Sequence, residues 1–303
     1  MNLLVTGCAG FIGSHTCEEL LRRGHLVYGI DSMGYAADLR KIENLKQSDM
    51  FHFYECNIND TARIRSIVDS SMITHVLNFA AETHVDNSIA CVDPFIYSNV
   101  CGVSKLIEVA RSTGACLIHI STDEVYGVPS SGEVFNESSP LNPRNPYSAT
   151  KAAADHLIFS AINTHGISAH IIRPSNNFGP GQHGEKFIPT ILRSISLGEK
   201  IPVYGDGKQK REWTYVKDTA YSIANFLEAD PPDRVVHNLS SEDQMTNLEV
   251  ISSICKILGK NPEDHISFIN DRAGHDREYR ISNSILSRKT EFLVALKETT
   301  EKQ

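Results

Sequence analysis

The 303-residue chain has no long apolar run, no charged leader and no basic tract. The first absence excludes a membrane-spanning helix, which needs about 20 predominantly apolar residues, and the second argues against a secretory signal. Lys and Arg are scattered and the formal charge is -8, so a general nucleic-acid binder is not expected. The seven cysteines are odd in number and include no C-x-x-C pair and no metal-ligand spacing. Reduced thiols in a cytoplasmic compartment are therefore expected, with neither a disulfide framework nor a bound metal. Internal repeats and low-complexity tracts are also missing. What remains, 41% hydrophobic and 22% charged, suits a soluble globular protein of one large or two modest domains.

The chain starts with a β-prone run, Leu3-Leu4-Val5-Thr6. Gly7-Cys8-Ala9-Gly10-Phe11-Ile12-Gly13 follows, and then an apolar-periodic segment from Ser14 to Arg23. Strand, glycine loop and helix in that order suit a dinucleotide. The glycines allow the tight turn and close approach to a pyrophosphate, and the helix N-terminus supplies amide donors. His25–Ile30 reads as a second strand ending at Asp31, 18 residues past Gly13, where a ribose-binding acid belongs. An acid there favours NAD over NADP, since it would repel a 2′-phosphate. Further strands are expected at 51–55, 75–79, 117–120, 169–173 and 235–239. Helices are expected near 62–69, 94–113 and 246–258, and from Tyr147 onward. This alternation predicts an α/β fold with a Rossmann-like, doubly wound parallel sheet. After Arg173 the texture becomes rich in Asn, Gly and Pro. The expected division is 1–173 as the dinucleotide-binding domain, rejoined by some later segments, and 174–303 as a smaller substrate-binding domain.

Two stretches carry chemistry. Ser121-Thr122-Asp123-Glu124-Val125-Tyr126-Gly127 sets a hydroxyl beside two acids at a strand's end. Tyr147 and Lys151 lie i and i+4 on a helix and share a face. A tyrosine needs about 4 kcal/mol to titrate near pH 7 instead of 10. A cation at roughly 6 Å with an effective dielectric near 20 supplies on the order of 2.8 kcal/mol. Lys151 and a nicotinamide cation together would activate Tyr147 to take a proton from an alcohol whose hydride goes to NAD, with Thr122 holding the same hydroxyl. Adjacent carboxylates can divide general acid and general base between them if their surroundings push their pKa values apart. A chance Y-x-x-x-K pair and a solvated acidic turn are the plain alternatives.

These motifs, with Ala80-Ala81-Glu82-Thr83-His84-Val85-Asp86, Ser175-Asn176-Asn177-Phe178-Gly179-Pro180, Glu185-Lys186-Phe187-Ile188-Pro189 and Asp271-Arg272-Ala273-Gly274-His275-Asp276, resemble the nucleotide-sugar 4,6-dehydratases of the extended short-chain dehydrogenase/reductase superfamily. Within that group the likeness is greatest to enzymes acting on dTDP-glucose. It extends from residue 1 to about 282. It implies a lyase in which Tyr147, Thr122 and Lys151 serve oxidation at C4. Glu124 then takes the C5 proton, Asp123 protonates the departing 6-hydroxyl, and hydride returns to C6. Cofactor contacts implied by the resemblance are Gly7, Gly10, Phe11, Ile12, Gly13, Asp31, Asn57, Ile58, Ala80, Ala81, Glu82, Ser98, Tyr147, Lys151 and Asn177. Implied contacts to a nucleotide-diphosphate glucose, with dTDP preferred to UDP, are Thr83, Thr122, Asn176, Lys186, Phe187, Pro202, Val203, Tyr204, Arg211, Asn247, Arg272 and His275. Arg211 and Arg272 are the planar forks suited to the diphosphate. A homodimer through the helices near 94–113 and 148–164 is implied as well. Against the family pattern, Asn57 replaces an Asp, Cys8 a Gly and Ala273 a Pro, and a Leu-Gly-Trp segment near the C-terminus is lacking. The rivals are an NAD-dependent epimerase or decarboxylase, which would generally lack the Asp-Glu pair, and a non-catalytic NAD-binding relative.

Overall fold

The parallel β-runs are built as the pattern predicts. The computed structural model describes residues 1–229, 233–271 and 274–302. Its strands are β1 (Asn2–Thr6), β2 (Leu26–Asp31), β3 (Phe51–Glu55), β4 (His75–Asn78), β5 (Cys116–Ile120), β6 (Ala169–Pro174), β7 (Asn176–Phe178), β8 (Ile201–Tyr204), β9 (Lys210–Tyr215), β10 (Val236–Leu239), β11 (Gln244–Thr246) and β12 (Ile266–Ile269). Its helices are α1 (Phe11–Arg22), α2 (Leu39–Leu45), α3 (Thr61–Ser70), α4 (Val85–Ala90), α5 (Asp93–Phe95), α6 (Val103–Thr113), α7 (Pro146–His165), α8 (Phe187–Leu197), α9 (Val216–Glu228), α10 (Asn247–Ile257) and α11 (Phe292–Lys302).

Seven strands form one parallel sheet in the order β10-β6-β5-β4-β1-β2-β3. Helices cover both faces, so the strands are apolar throughout instead of alternating. In β1, Leu4 faces a core built with α3, α6 and α7, while Leu3 and Val5 face one built with α1, α2 and α9. The order reverses between β1 and β4. The loops leaving these strands therefore part, and they leave a crevice at the sheet's carboxyl edge. The sheet confirms the Rossmann-like reading. The later segments that rejoin it are β10 at its edge and α9 on its face.

The uninterrupted helix expected over 94–113 is instead α5, a π-helical stretch (Ile96–Gly102) and α6. Such π insertions re-aim side chains. Here Asn99 is fully buried. Its amide nitrogen donates to Glu82 O and Thr150 Oγ1, both 3.0 Å, and its oxygen accepts from Glu82 N at 2.9 Å. One side chain thus ties the carboxyl end of β4 to α7.

A second lobe holds the three-stranded sheet β11-β9-β7, the β12-β8 pair, and α8, α10 and α11. Its core includes Phe178, Ile188, Trp213, Val250, Phe292 and Leu296. The tail, expected to be a trimmed end of that lobe, contributes α11, which buries Phe292, Ala295, Leu296 and Thr299. The helices α8 and α9 are not among those the sequence pattern predicts. Of the sequence-predicted features, Arg272 and Ala273 lie outside the described residues.

Candidate active site

The glycine loop meets the requirements of a dinucleotide cradle. Gly7 has φ +68°, and a Cβ there would lie 2.7 Å from Ala80 N; one at Gly13 would lie 2.2 Å from Gly7 O. Only glycine allows backbone to pack this closely. The N-terminus of α1, capped by Gly10, carries no side-chain cap, so its first amides are left to a ligand. The adjoining cavity is lined by nine of the expected cofactor residues: Gly7, Gly10, Asp31, Asn57, Ile58, Ala80, Ala81, Glu82 and Ser98. Ser32, Gly34, Tyr35 and Tyr97 line it too, and no motif marked them. Asp31 Oδ2 accepts from Ala9 N at 3.0 Å and its Oδ1 from Met33 N at 2.9 Å. Burial raises its pKa. The amide oxygen of Asn57, the residue that replaces an Asp of the family pattern, accepts from Asn59 N (2.9 Å) and Asn59 Nδ2 (3.1 Å). The loop, the open helix end and the acid at the tip of β2 together fit NAD.

The chemical groups gather beyond the end of β5. Thr122 caps a short 3-10 helix (Asp123–Tyr126): its Oγ1 accepts from Glu124 N at 3.3 Å and lies 3.2 Å from Asp123 Oδ1. Asp123 is buried at 3% exposure, and its Oδ2 meets no hydrogen-bond partner among the described residues. Burial, then the neighbouring carboxylates Glu124 and Glu212, push its pKa well above the ordinary range and so favour the neutral acid. Glu124 is half-buried. Its Oε2 accepts from Asn145 Nδ2 at 3.1 Å, and the Tyr279 hydroxyl lies 3.4 Å away, nearer to Asp276 Oδ2 at 2.6 Å.

The helix α7 starts in a capping box: Asn145 Oδ1 accepts from Ser148 N, the Ser148 hydroxyl reaches back to Asn145 N, and Pro146 holds the first helical position. This fixes the face that presents Tyr147 and Lys151. Lys151 donates to Ile120 O at 2.7 Å and lies 3.3 Å from His119 Nε2. Burial lowers its pKa to about 8, with Asp155 opposing the fall. The expected activation of Tyr147 calls for Lys151 and a nicotinamide cation together, and the chain's own groups act in the opposite direction. Burial and the Glu124 carboxylate lift the phenol above its usual value, and hydrogen bonding to Thr122 only partly offsets this.

The expected sugar-nucleotide residues line the second lobe unevenly. Lys186 Nζ donates to Thr83 O at 3.1 Å across the cleft. Asn176 and Asn177 each keep a buried side-chain oxygen with no partner among the described residues. Phe187 stacks on Trp213. His275 bonds Asp271 at 2.5 Å and meets the Tyr204 ring edge-on. Pro202 is exposed, whereas the Val203 side chain is in the core, leaving only its backbone for a ligand. Arg211 is committed to Lys210 O (2.7 Å), Asp276 O (2.9 Å) and the Tyr279 ring. The Asn247 amide donates to Gln209 O. Tyr279, Asn145 and Glu212 join the acid pair from distant sequence. Only the Asn-Pro start of the Tyr147 helix could have flagged one of them.

A family model described as GDP-mannose 4,6 dehydratase matches residues 4–295. The low-salt glycan biosynthesis protein Agl12 of Haloferax volcanii is 42% identical over 284 residues, covering 93% of this chain and 90% of its own. A dTDP-glucose 4,6-dehydratase of Xanthomonas campestris pv. campestris is 38% identical over 301 residues, covering 93% of this chain and 86% of its own. The solved structure of DesIV, a dTDP-glucose 4,6-dehydratase from Streptomyces venezuelae with NAD bound, aligns with a TM-score of 0.93 at 33% identity, covering 99% of this chain and 96% of that one. The chain belongs to the GDP-mannose 4,6 dehydratase family, within the extended short-chain dehydrogenases/reductases.

Proposed function

We propose that this protein is an NAD-dependent hydro-lyase that converts a nucleotide-diphosphate glucose, dTDP-glucose before UDP-glucose, to its 4-keto-6-deoxy sugar. The observation that carries this reading is the Asp123-Glu124 pair. One member is buried with its pKa pushed well up, and the other is half-buried and held by neutral donors. An epimerase has no use for such a pair, whereas an elimination needs an acid and a base together. Bound NAD supplies a positive ring and the capacity to accept hydride from C4 and return it to C6.

The chain's own residues do the rest. Thr122 and Tyr147 hold the 4-hydroxyl, and Tyr147 takes its proton once Lys151 and the charge of the bound cofactor ring together favour the phenolate. With a carbonyl at C4, the C5 proton is acidic, and Glu124 removes it. Asp123 gives its proton to the 6-oxygen, which leaves as water. Glu124 finally returns a proton to C5. Asp31, the glycine loop, Asn57, Ile58, Ala80–Glu82, Ser98 and Asn177 are proposed to hold the cofactor. The second-lobe residues, with Thr83, are proposed to hold the sugar nucleotide. We read residues 1–173 with β10 and α9 as the dinucleotide unit, and the remainder as the sugar-nucleotide unit. A homodimer through α6 and α7 belongs to the same reading. So does a cytoplasmic location, which seven free cysteines support. No helix among the described residues is long and apolar enough to cross a membrane. Incubation with NAD and, separately, dTDP-glucose or UDP-glucose tests the proposal. Loss of 18 mass units from one sugar nucleotide (the mass of one water) is expected, and an unchanged or merely isomerised sugar in both would refute it.

A further inference from the structure

Thr6, Asn78 and His119 form a polar row across an otherwise apolar part of the sheet. Thr6 of β1 is in register with Asn78 of β4, and Asn78 with His119 of β5. All are buried, and so is Lys151 of α7, which meets the end of the row. Polar groups persist in such a place where they satisfy one another. Here they make one chain of hydrogen bonds. Ala80 N donates to Thr6 Oγ1 at 3.1 Å, and Thr6 Oγ1 lies 2.6 Å from Asn78 Oδ1. Asn78 Nδ2 lies 3.0 Å from His119 Nδ1, and His119 Nε2 lies 3.3 Å from Lys151 Nζ. The direction of this chain is fixed at its far end. A backbone amide can only donate, so the Thr6 oxygen accepts there and directs its one hydrogen to Asn78 Oδ1. Asn78 Nδ2 therefore faces His119, and the ring accepts with a bare Nδ1. A neutral imidazole then carries its proton on Nε2.

We infer that His119 is a positioning residue: held by Thr6 and Asn78 with its proton on Nε2, it presents a donor to Lys151 and so lowers the pH at which the lysine loses its charge. An amine can accept that hydrogen while donating to Ile120 O at 2.7 Å, whereas an ammonium has donors only. Asp155 Oδ1, 4.0 Å from His119 Nε2, is too far to accept it instead. The other ionisable groups facing the pair are Tyr147 and Asp155 of α7 and Arg173 of β6. Burial, then Lys151 and Arg173, drive the His119 pKa well down and favour the neutral ring. Asp155 favours the ammonium and so opposes His119. The sign follows: a donor facing Lys151 stabilises the amine, and turning it into an acceptor moves the loss of charge to higher pH. The kinetic consequence rests on the dehydratase reading; the tautomer and its effect on the lysine do not.

The chain can be cut where it touches neither His119 nor Lys151. T6V keeps the shape of the side chain and adds no charge, but nothing then donates to Asn78 Oδ1. The amide can turn that oxygen to His119, the ring proton moves to Nδ1, and Nε2 accepts from the lysine ammonium. Nitrogen NMR of the histidine rings in the NAD holoprotein, with His119 assigned through its loss in H119F, reads the tautomer. The ε-carbon resonance of Lys151, assigned with K151M, reads the charge. The expected result is a proton on Nε2 in the wild type, a proton on Nδ1 in T6V, and a Lys151 midpoint higher by about one pH unit in T6V. A wild-type ring protonated on Nδ1 would overturn the assignment without any variant having to fold. A Lys151 midpoint unmoved in T6V would overturn the control of the lysine by this chain. The alkaline limb of kcat should rise with that midpoint, and a limb that stays while the midpoint moves overturns the kinetic consequence. If the tautomer and the shift are found in a protein that dehydrates no sugar nucleotide, the functional reading fails and the role of His119 stands.

Discussion

Replacing Asp123 by Asn separates chemistry from stability. Burial and two neighbouring carboxylates push the Asp123 pKa well up and favour its neutral form. Asparagine is the same size and cannot ionise, so the variant keeps the shape of the group and removes its titration at a site that is 3% exposed. The unpartnered Oδ2 becomes an equally unpartnered amide nitrogen, and at low pH, where the carboxyl is protonated in both the folded and the unfolded chain, the net change in stability should stay within about 1 kcal/mol. The folded-state pKa of Asp123 is raised, so the native carboxyl favours folding below its unfolded pKa, and that benefit is lost as pH rises toward the folded value. D123N should therefore gain stability relative to wild type as pH increases. Asparagine cannot deliver a proton to the 6-oxygen. General acid catalysis contributes about 10²–10⁴-fold, or roughly 3–5 kcal/mol of barrier, and kcat for water loss should fall by that factor. Turnover by mass spectrometry and thermal unfolding, both at pH 6 to 9, read the two effects. A fall in kcat of less than tenfold, or a loss of several degrees in Tm, would refute a buried neutral acid that delivers the proton.

E124Q should abolish incorporation of solvent deuterium at C5 while leaving retained NAD unchanged; deuterium in the sugar would sink the base assignment. G7A forces a Cβ to within 2.7 Å of Ala80 N in a left-handed conformation, so both Tm and the NAD retained through purification should drop; equal retention would show that the loop is looser than described. L296A empties a fully buried position of α11 and should destabilise by about 2–5 kcal/mol in chemical denaturation. A change below 1 kcal/mol would mean that the tail helix is not part of the second lobe's core.

Local chemistry was readable wherever it is contiguous. The apolar runs, the glycine loop and the acid ending β2 define the sheet and its crevice, because both faces of that sheet are buried. The i, i+4 pairing of Tyr147 and Lys151 is a property of any helix. The capping residues Asn145 and Ser148 start that helix where the Tyr-Lys face needs it. Features set by tertiary direction were not readable. Asn99 bends its helix into a π turn to reach Glu82 and Thr150, partners 17 and 51 residues away. Tyr279 reaches Glu124 across 155 residues. Arg211 looked like a phosphate fork, yet its guanidinium is held by backbone carbonyls. The carboxylates that raise the Tyr147 phenol, Glu124 first among them, gather around it only in the fold.

The central claim is that one site oxidises at C4, eliminates across C5–C6 and ends with its cofactor unchanged. The most direct test is mass spectrometry of the nucleotide sugar after turnover of the NAD holoprotein in D₂O, with absorbance at 340 nm followed in the same cuvette. The account predicts loss of one water, one deuterium retained at C5 and no net accumulation of NADH. A sugar of unchanged mass, or water loss accompanied by stoichiometric NADH, would contradict it.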